Sequence, residues 1–380
     1  MYSGAEPPCC RRGPSHWGLG RAPHAPRPEG PSFLVDHRRL LFKLAPMFHS
    51  SLTVRRLTAL VWTASSLLLC PCESVAAQST GVQITDQDGK LRIEIEGELF
   101  SEYHYSGFSR PFLYPVLGPG GLPMTRNWPM KEVPGEERDH PHQRSFWWAH
   151  GALNGHDFWS EGANAGKTLH DRFLDVKSGP EFGLIRAANR LVAKDGTLVA
   201  TDERTIRIHN RAADRIVDFQ ITVHASQGPL VFGDTKEGTM ALRLNESMRL
   251  VRNRKPGEGR IVNSESLRDG ETWGKRAAWV DYSGPVEGQT VGVAIFDHPR
   301  NPRHPTHWHV RDYGLFAANP FGIHDFEKQP PGTGDLKVAA GESVTWRYRF
   351  YFHRGDEREA KVAERYADYA RDIPDAPATH

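Results

Sequence analysis

Apolar and polar residues alternate with a period of two in several stretches of this 380-residue chain. They are "LRIEIEG" (91–97), "RTIRIHN" (204–210), "IVDFQITVHA" (216–225) and "VTWRYRFYFH" (344–353). That period predicts strands with one face turned to a core and the other to solvent. "VGVAIFD" (291–297) is more continuously apolar and also predicts a strand. Residues 110–135, opening with "RPFLYPVLGPGGLP", are dense in Pro and Gly and predict turns and extended loops. The one clear helical pattern is "DEREAKVAERYADYARDI" (356–373), with Val362, Ala363, Tyr366, Tyr369 and Ala370 as its apolar stripe and Pro374 as its stop. No repeat of 20–50 residues recurs, no G-x-G-x-x-G joins a strand to a helix, and no P-loop or G-x-S-x-G is present. Many short strands, Gly/Pro turns and one terminal helix predict a mainly β protein, a large antiparallel β-sandwich with a C-terminal helix.

The first residues change the domain picture. Residues 1–46 are rich in Pro, Arg and Gly, which predicts disorder or an upstream extension from a start site set too early. From Met47, a basic pair (Arg55, Arg56), the apolar run "LTALVWTASSLLL" (57–69) and "SVAA" (74–77) predict a secretory signal peptide over 47–77. The run is short for a membrane span. Export to the periplasm or medium follows as an expectation, with a single β-sandwich domain over 78–380. All four cysteines, Cys9, Cys10, Cys70 and Cys72, precede that cut. A mature chain would hold no disulfide, thiolate metal site or Cys nucleophile. Any metal would rest on His and carboxylate.

Charge excludes little except nucleic acid. The net charge is +2 with 25% charged residues, and no Lys/Arg cluster suggests a phosphate backbone. Aromatics reach 10%, with 10 Trp. Indole faces stack on sugar rings, or simply fill a β core.

Candidate chemistry concentrates in "DHPHQRSFWWAHG" (139–151) and "HDFWSEG" (156–162). An extended chain there places His140, His142 and Arg144 on one face, with Asp139 and Gln143 on the other. Three readings compete. His140 and His142 bind a divalent metal with a carboxylate, although no Glu follows closely as a cupin pattern wants. Or His140, His142, Arg144 and His150 form a metal-free acid–base site for a sugar or oxidised glycoside, over a stacking floor of Trp147, Trp148 or Trp159. Or the imidazoles only satisfy buried backbone groups. Arg144 suits a carboxylate or keto oxygen, since guanidinium makes paired hydrogen bonds. "GDTKEGTM" (233–240) offers Asp234, Lys236 and Glu237 at a strand edge, where a carboxylate serves as general base opposed to a His acid or only lines a solvated turn. "FDHPRNPRHPTHWHVRDYGLFAANPFG" (296–322) adds His307 and His309 on one face, Trp308 on the other, and Asn319. "AAWVDYSG" (277–284) adds Trp279, Asp281 and Tyr282. Trp148, His156, Asp157, Trp159, Asp234, Lys236, His307, His309 and Asn319 are candidate substrate contacts. A non-catalytic glycan-binding module is a further reading, disfavoured by the density of ionisable groups.

The stretches "DHPHQRSFWWAHGALNGHDFWSEG", "DTKEGTMALRL", "WVDYSGPVEGQTVGVAIFDHPRNPRHPTHWHVRDYGLFAANPFG" and "LKVAAGESVTWRYRFYFH" resemble the uncharacterised bacterial family labelled "methane oxygenase PmoA" over most of residues 82–370. The label implies no methane chemistry, because the membrane subunit of that name needs several transmembrane helices and no such apolar run follows residue 69. The resemblance implies an exported protein acting on carbohydrate, with a fold similar to the galactose-mutarotase-like supersandwich. There, His residues act as acid and a Glu as base. Carried over, His140, His142 or His150 supplies the imidazole and Glu237 the base. The N-x-x-H-G-G stretch of mutarotases is matched here only by the H-G of "WWAHG".

Overall fold

A computed structural model describes residues 80–211, 213–252 and 254–371. The segments read as upstream extension and signal peptide, the four cysteines and Pro374 lie outside the described residues. Within them, the predicted alternation becomes two large sheets in which every pairing is antiparallel. The first runs β1 (Val82–Asp86), β2 (Lys90–Ile95), β3 (Glu98–His104), β4 (Phe112–Val116), β5 (Phe146–His150), β11 (Gly238–Arg243), β18 (Leu315–Asn319) and β17 (His307–Val310). The second runs β14 (Arg260–Asn263), β15 (Trp279–Val286), β16 (Gln289–Asp297), β20 (Ser343–Arg354), β9 (Arg215–His224), β8 (Leu198–His209), β7 (Phe182–Val192) and β6 (Lys167–Lys177). Two ribbons pair β10 (Leu230–Phe232) with β19 (Leu336–Val338), and β12 (Val251–Arg252) with β13 (Lys255–Pro256). The large antiparallel β-sandwich expected from the sequence is what is observed.

The sheets close on each other through the apolar set of each alternating strand. On β9, Val217, Phe219, Ile221 and Val223 turn inward; on β20, Trp346, Tyr348, Phe350 and Phe352 do. They meet Phe146 and Trp148 of β5 and Met240 and Leu242 of β11. The Phe146 and Phe350 rings lie 4.2 Å apart across the gap. Each such side chain taken from water stabilises the sandwich by about 1.5–3 kcal/mol.

The C-terminal helix α2 (Val362–Arg371) starts six residues later than its pattern predicts. Asp356 accepts from the Arg358 and Glu359 amides, and Lys361 takes a positive φ of 53°, so the chain first makes a turn. The predicted stripe does its work. Val362, Tyr366 and Tyr369 pack on Ile216, Phe296 and Tyr351 of the second sheet's outer face. A second helix, the five-residue α1 (Ile323–Glu327), is short enough to leave no periodic signal. Among the described residues no helix is long and apolar enough to cross a membrane. The Pro/Gly segment 110–135 is mostly loop, but β4 crosses it.

Candidate functional site

The outer face of the first sheet carries the chemistry. Alternation turns Trp147 and Ala149 of β5 outward, with Ala241 of β11 and Leu315 and Ala317 of β18. Register fixes one row across four strands: Trp147 opposes Ala241, Ala241 opposes Ala317, and Ala317 opposes His309. The alanines keep the middle of the face flat, so rings can lie on it. Trp159 covers it, 5.2 Å from Trp147, and the His142 ring stands 6.2 Å beyond Trp159.

The loop 139–145 that brings His142 there is not an extended strand. His140 has φ +42°, in the left-handed region, and residues 141–142 form a turn. What sets this path is a carboxylate shared by two buried arginines. Arg243 Nη2 donates to Asp139 Oδ1 and Oδ2 at 2.8 and 3.0 Å, and Arg126 Nη1 donates to the same Oδ1. Arg126 Nη2 donates further to the carbonyls of Asp139 and His140. Gln143, on the same side, accepts from Arg243. His140 Nδ1 donates to Asp139 Oδ2 at 2.7 Å. Burial pushes the Asp139 carboxyl up, but the bond from His140 and the charges of Arg243 and Arg126 outweigh it and hold it well below the usual carboxylate range.

The two dense segments of the sequence meet here. His140 stacks on Tyr313 at 5.1 Å and nearly parallel, and lies 5.7 Å from His142. The Arg311 guanidinium sits 5.3 Å from the Tyr313 ring centre and 5.9 Å from that of Trp273, which is 6.4 Å from His309. Trp159, His142, His140, Tyr313, Arg311, Trp273 and His309 thus form one arc. Glu237 immediately precedes β11 and follows the Lys236 carbonyl that holds His309. Its negative charge acts on His142, on Tyr313 and on His309. Lys236 Nζ donates to Glu237 Oε1 at 2.8 Å, and that bond raises the lysine pKa. Glu237 keeps 39% of its side chain exposed.

Both imidazoles of the arc that flank Glu237 are neutral. Burial, then the charge of Arg110, lowers His142 to about 4. Burial lowers His309 to about 4 against the pull of Glu237. His309 Nδ1 donates to the Lys236 carbonyl at 2.7 Å, which fixes its tautomer and leaves Nε2 a bare acceptor, buried and without a partner.

Several predicted site residues have other work. Arg144 is not free for a ligand: its Nε and Nη2 grip the two oxygens of Glu161 at 2.8 and 2.7 Å. His150 turns to the opposite face from Trp147, where Nε2 donates to the Gly233 carbonyl and burial lowers its pKa to about 3. Trp148 is buried in the inter-sheet core, so it is no stacking floor. Trp159 is buried as well, beneath His142. Asp157 Oδ1 accepts from the Trp159 and Ser160 amides, and His156 closes a tight turn on Leu153. Asp234 accepts from the amides of His324 and Gly334, which ties down the α1 segment. Asn319 Oδ1 accepts from the Phe321 and Gly322 amides, while its Nδ2 donates to the Thr235 carbonyl. His307 is buried under α1 and bonds Glu327 at 2.7 Å. Trp308 faces the core as alternation predicts. Trp279, Asp281 and Tyr282 belong to β15 in the other sheet. Glu237 and its neighbours precede a strand interior to its sheet, not an edge strand. Among the described residues, no group of three or more His, Cys, Asp or Glu side chains lies where a metal could be held. The alternative reading of His140 and His142 as metal ligands gains no third ligand among the described residues.

Arg126, Arg243, Trp273, Tyr313 and Arg311 escaped the sequence reading. For Arg311 a signal existed, since 307, 309 and 311 share a face. Arg243 carried none, because its partner is 104 residues away.

Gly151 holds Glu237 in place. Its amide donates to the Glu237 carbonyl at 2.7 Å, and a Cβ there would lie 2.8 Å from Glu237 Cβ and 2.9 Å from that carbonyl oxygen. Gly151→Ala is expected to displace Glu237, with the melting temperature shifted by only a few degrees. Crystallography of the variant checks the displacement.

The lowered histidines also set an acid limit. His142, His150 and His309 are neutral when folded but take protons near 6.5 when unfolded. The unfolded chain binds more protons below that pH, so stability is full above about 6.5 and falls toward 4, for His150 toward 3. Each group contributes up to about 1.4 kcal/mol per pH unit inside its window. Urea titrations from pH 7 to 4 are expected to show the decline, and His150→Gln to make it shallower.

Among solved structures, a protein assigned as a kojibiose phosphorylase from the human microbiome shares 7% identity over 50% of this chain, with a TM-score of 0.29. The match spans about a fifth (21%) of that protein's length. A protein assigned as an aldose 1-epimerase from Escherichia coli K12 shares 11% identity, covering 72% of this chain and 99% of its own, with a TM-score of 0.27. A galactose mutarotase related enzyme from Lactobacillus acidophilus shares 9%, covering 72% and 97%, with a TM-score of 0.29. Such faint likenesses establish no shared activity. No curated protein sequence matches the chain. A family model does match, over residues 90–367, and the chain belongs to that family, the family of unknown function DUF6807.

Proposed function

We propose that the arc binds a sugar and that Glu237 moves a proton to and from it, in an epimerisation or an elimination. One observation carries this reading: a half-exposed carboxylate whose field reaches two neutral imidazoles, His142 and His309, in a ring of aromatic side chains. The neutral rings hydrogen-bond the substrate, His309 accepting at Nε2, while Glu237 acts as base and then as acid. Lys236 Nζ holds one of its oxygens. Hydrolysis by two carboxylates has less support, because a second carboxylate must be free to act. Asp139 is held by Arg126 and Arg243, and Glu161 by Arg144. The methane-oxygenase label of the resembling family enters no step. Export, suggested by residues 47–77, would put the substrate outside the cytoplasm.

The test is incubation of the protein with aldoses, uronates and keto-sugars in heavy water, followed by proton NMR. Deuterium entering one ring position, or a new product, is expected for the wild type. Absence of both for every sugar overturns the enzyme reading; sugar binding without turnover makes the patch a glycan-binding surface. Because His142 and His309 stay neutral down to about 4, the activity profile is expected to show no inflection between pH 6 and 7. A step of one proton near 6.5 in kcat/KM would count against both assignments.

A further inference from the structure

We propose that the sugar is acidic and that Arg311 receives its carboxylate. This rests on the arc being a carbohydrate site. Around that site the other guanidiniums are committed. Arg144 is bound to Glu161, Arg126 and Arg243 to Asp139, and Arg249 to Glu246 and Glu137. Arg110 donates to the carbonyls of His142 and Ser160. The Arg311 guanidinium makes no hydrogen bond or ion pair among the described residues, yet it is half-buried and held against two rings, Tyr313 and Trp273. Its backbone is fixed as well. The Arg311 amide donates to the Leu315 carbonyl at 2.7 Å, and its own carbonyl accepts from the Gly314 amide at 3.1 Å and from the Tyr282 hydroxyl at 3.3 Å.

A planar fork held on aromatic faces is prepared for a planar, two-oxygen acceptor and loses little entropy on binding one. Two polar atoms near it are unpaired among the described residues, as are Trp147 Nε1 and Trp159 Nε1 on the same face. His309 Nε2 and Trp273 Nε1 are buried and have no partner, and they belong to the rings that continue the arc from Arg311. Buried polar atoms are nearly always paired. His309 Nε2 accepts and Trp273 Nε1 donates, which suits a hydroxyl beside a carboxylate. The charge agrees: Arg311 and Lys236 both act on His309, against the single carboxylate Glu237. An anionic substituent restores the balance. The role assigned from sequence to Arg144 thus passes to Arg311.

The experiment is calorimetric titration of the full-chain protein with D-glucuronate and D-galacturonate against D-glucose and D-galactose. At least one uronate is expected to bind tenfold or more tighter than its neutral partner. Arg311→Gln is expected to remove that preference, so that the uronate binds no tighter than its neutral partner. Arg311→Lys keeps the charge but not the fork, so it should recover only part; it also serves if the Gln variant does not fold. Neutral sugars binding as well as uronates would overturn the inference and leave the sugar site standing. A uronate preference that survives Arg311→Gln would overturn it too. No binding by any of the four would overturn the inference and count against the sugar site itself.

Discussion

Glu237→Gln is expected to lower turnover about 10²- to 10⁴-fold, the range over which a positioned acid–base group acts. The substitution keeps shape and hydrogen-bonding capacity, and the residue is half-exposed, so the fold should not respond by more than about 0.5 kcal/mol. The amide cannot take a proton, and Lys236 loses its charged partner. His142→Gln should cost less than Glu237→Gln, because a neutral imidazole contributes a hydrogen bond and not the proton transfer. The measurement is kcat with saturating substrate, beside a melting curve. Turnover within threefold of wild type, in a folded variant, would remove Glu237 from the chemistry.

Asp139→Ala is expected to be the most damaging change to stability near the site. Arg126 and Arg243 have no exposed side-chain surface, and Asp139 is the carboxylate they share. Breaking a buried pair by removing one partner costs about 3–5 kcal/mol, since a desolvated charge is left behind. His140 loses its acceptor as well, so its stacking on Tyr313 should loosen and the arc should open. Urea unfolding checks the first effect. The pH dependence has a definite sign. The carboxyl is held below its ordinary value, so its stabilisation is full above about 4 and lost only as the pH falls through the lower, folded value. The gap between wild type and variant should therefore persist at pH 4, where the histidines have already taken their toll. A loss under 1 kcal/mol would mean that the two guanidiniums find other acceptors.

These cases show what the sequence could and could not reveal. Strands such as 216–225 and 344–353 were legible because burial of one face imposes period two on the residues themselves. Alternation also separated Trp308 from His307 and His309. It did not say which face of "FWWA" looks outward, since both faces of β5 are buried, one by the other sheet and one by loops. Hence Trp148 was assigned to a ligand and lies in the core. The extended reading of 139–145 failed for another reason. Its path depends on Arg126 and Arg243, which lie 13 and 104 residues from Asp139, and no local pattern encodes such partners. Arg144 looked free because Glu161 is 17 positions downstream. The choice of Glu237 as base came from a resemblance and from its company in "DTKEG". Its place beside His142 and His309 was beyond any reading of that segment alone.

One strand carries a consequence for any redesign of this protein. β11 begins beside Glu237 and ends at Arg243, so the carboxylate proposed as base and the anchor of the 139–145 loop are spaced by a single rigid run of six residues. Deleting or inserting one residue in it would send Met240 and Leu242 out and bring Ala241 and Arg243 into the sandwich. The run behaves as a gauge block between two working parts. Length changes belong in the turns, such as the one joining β15 to β16, and grafts that keep this gauge intact can alter what surrounds it.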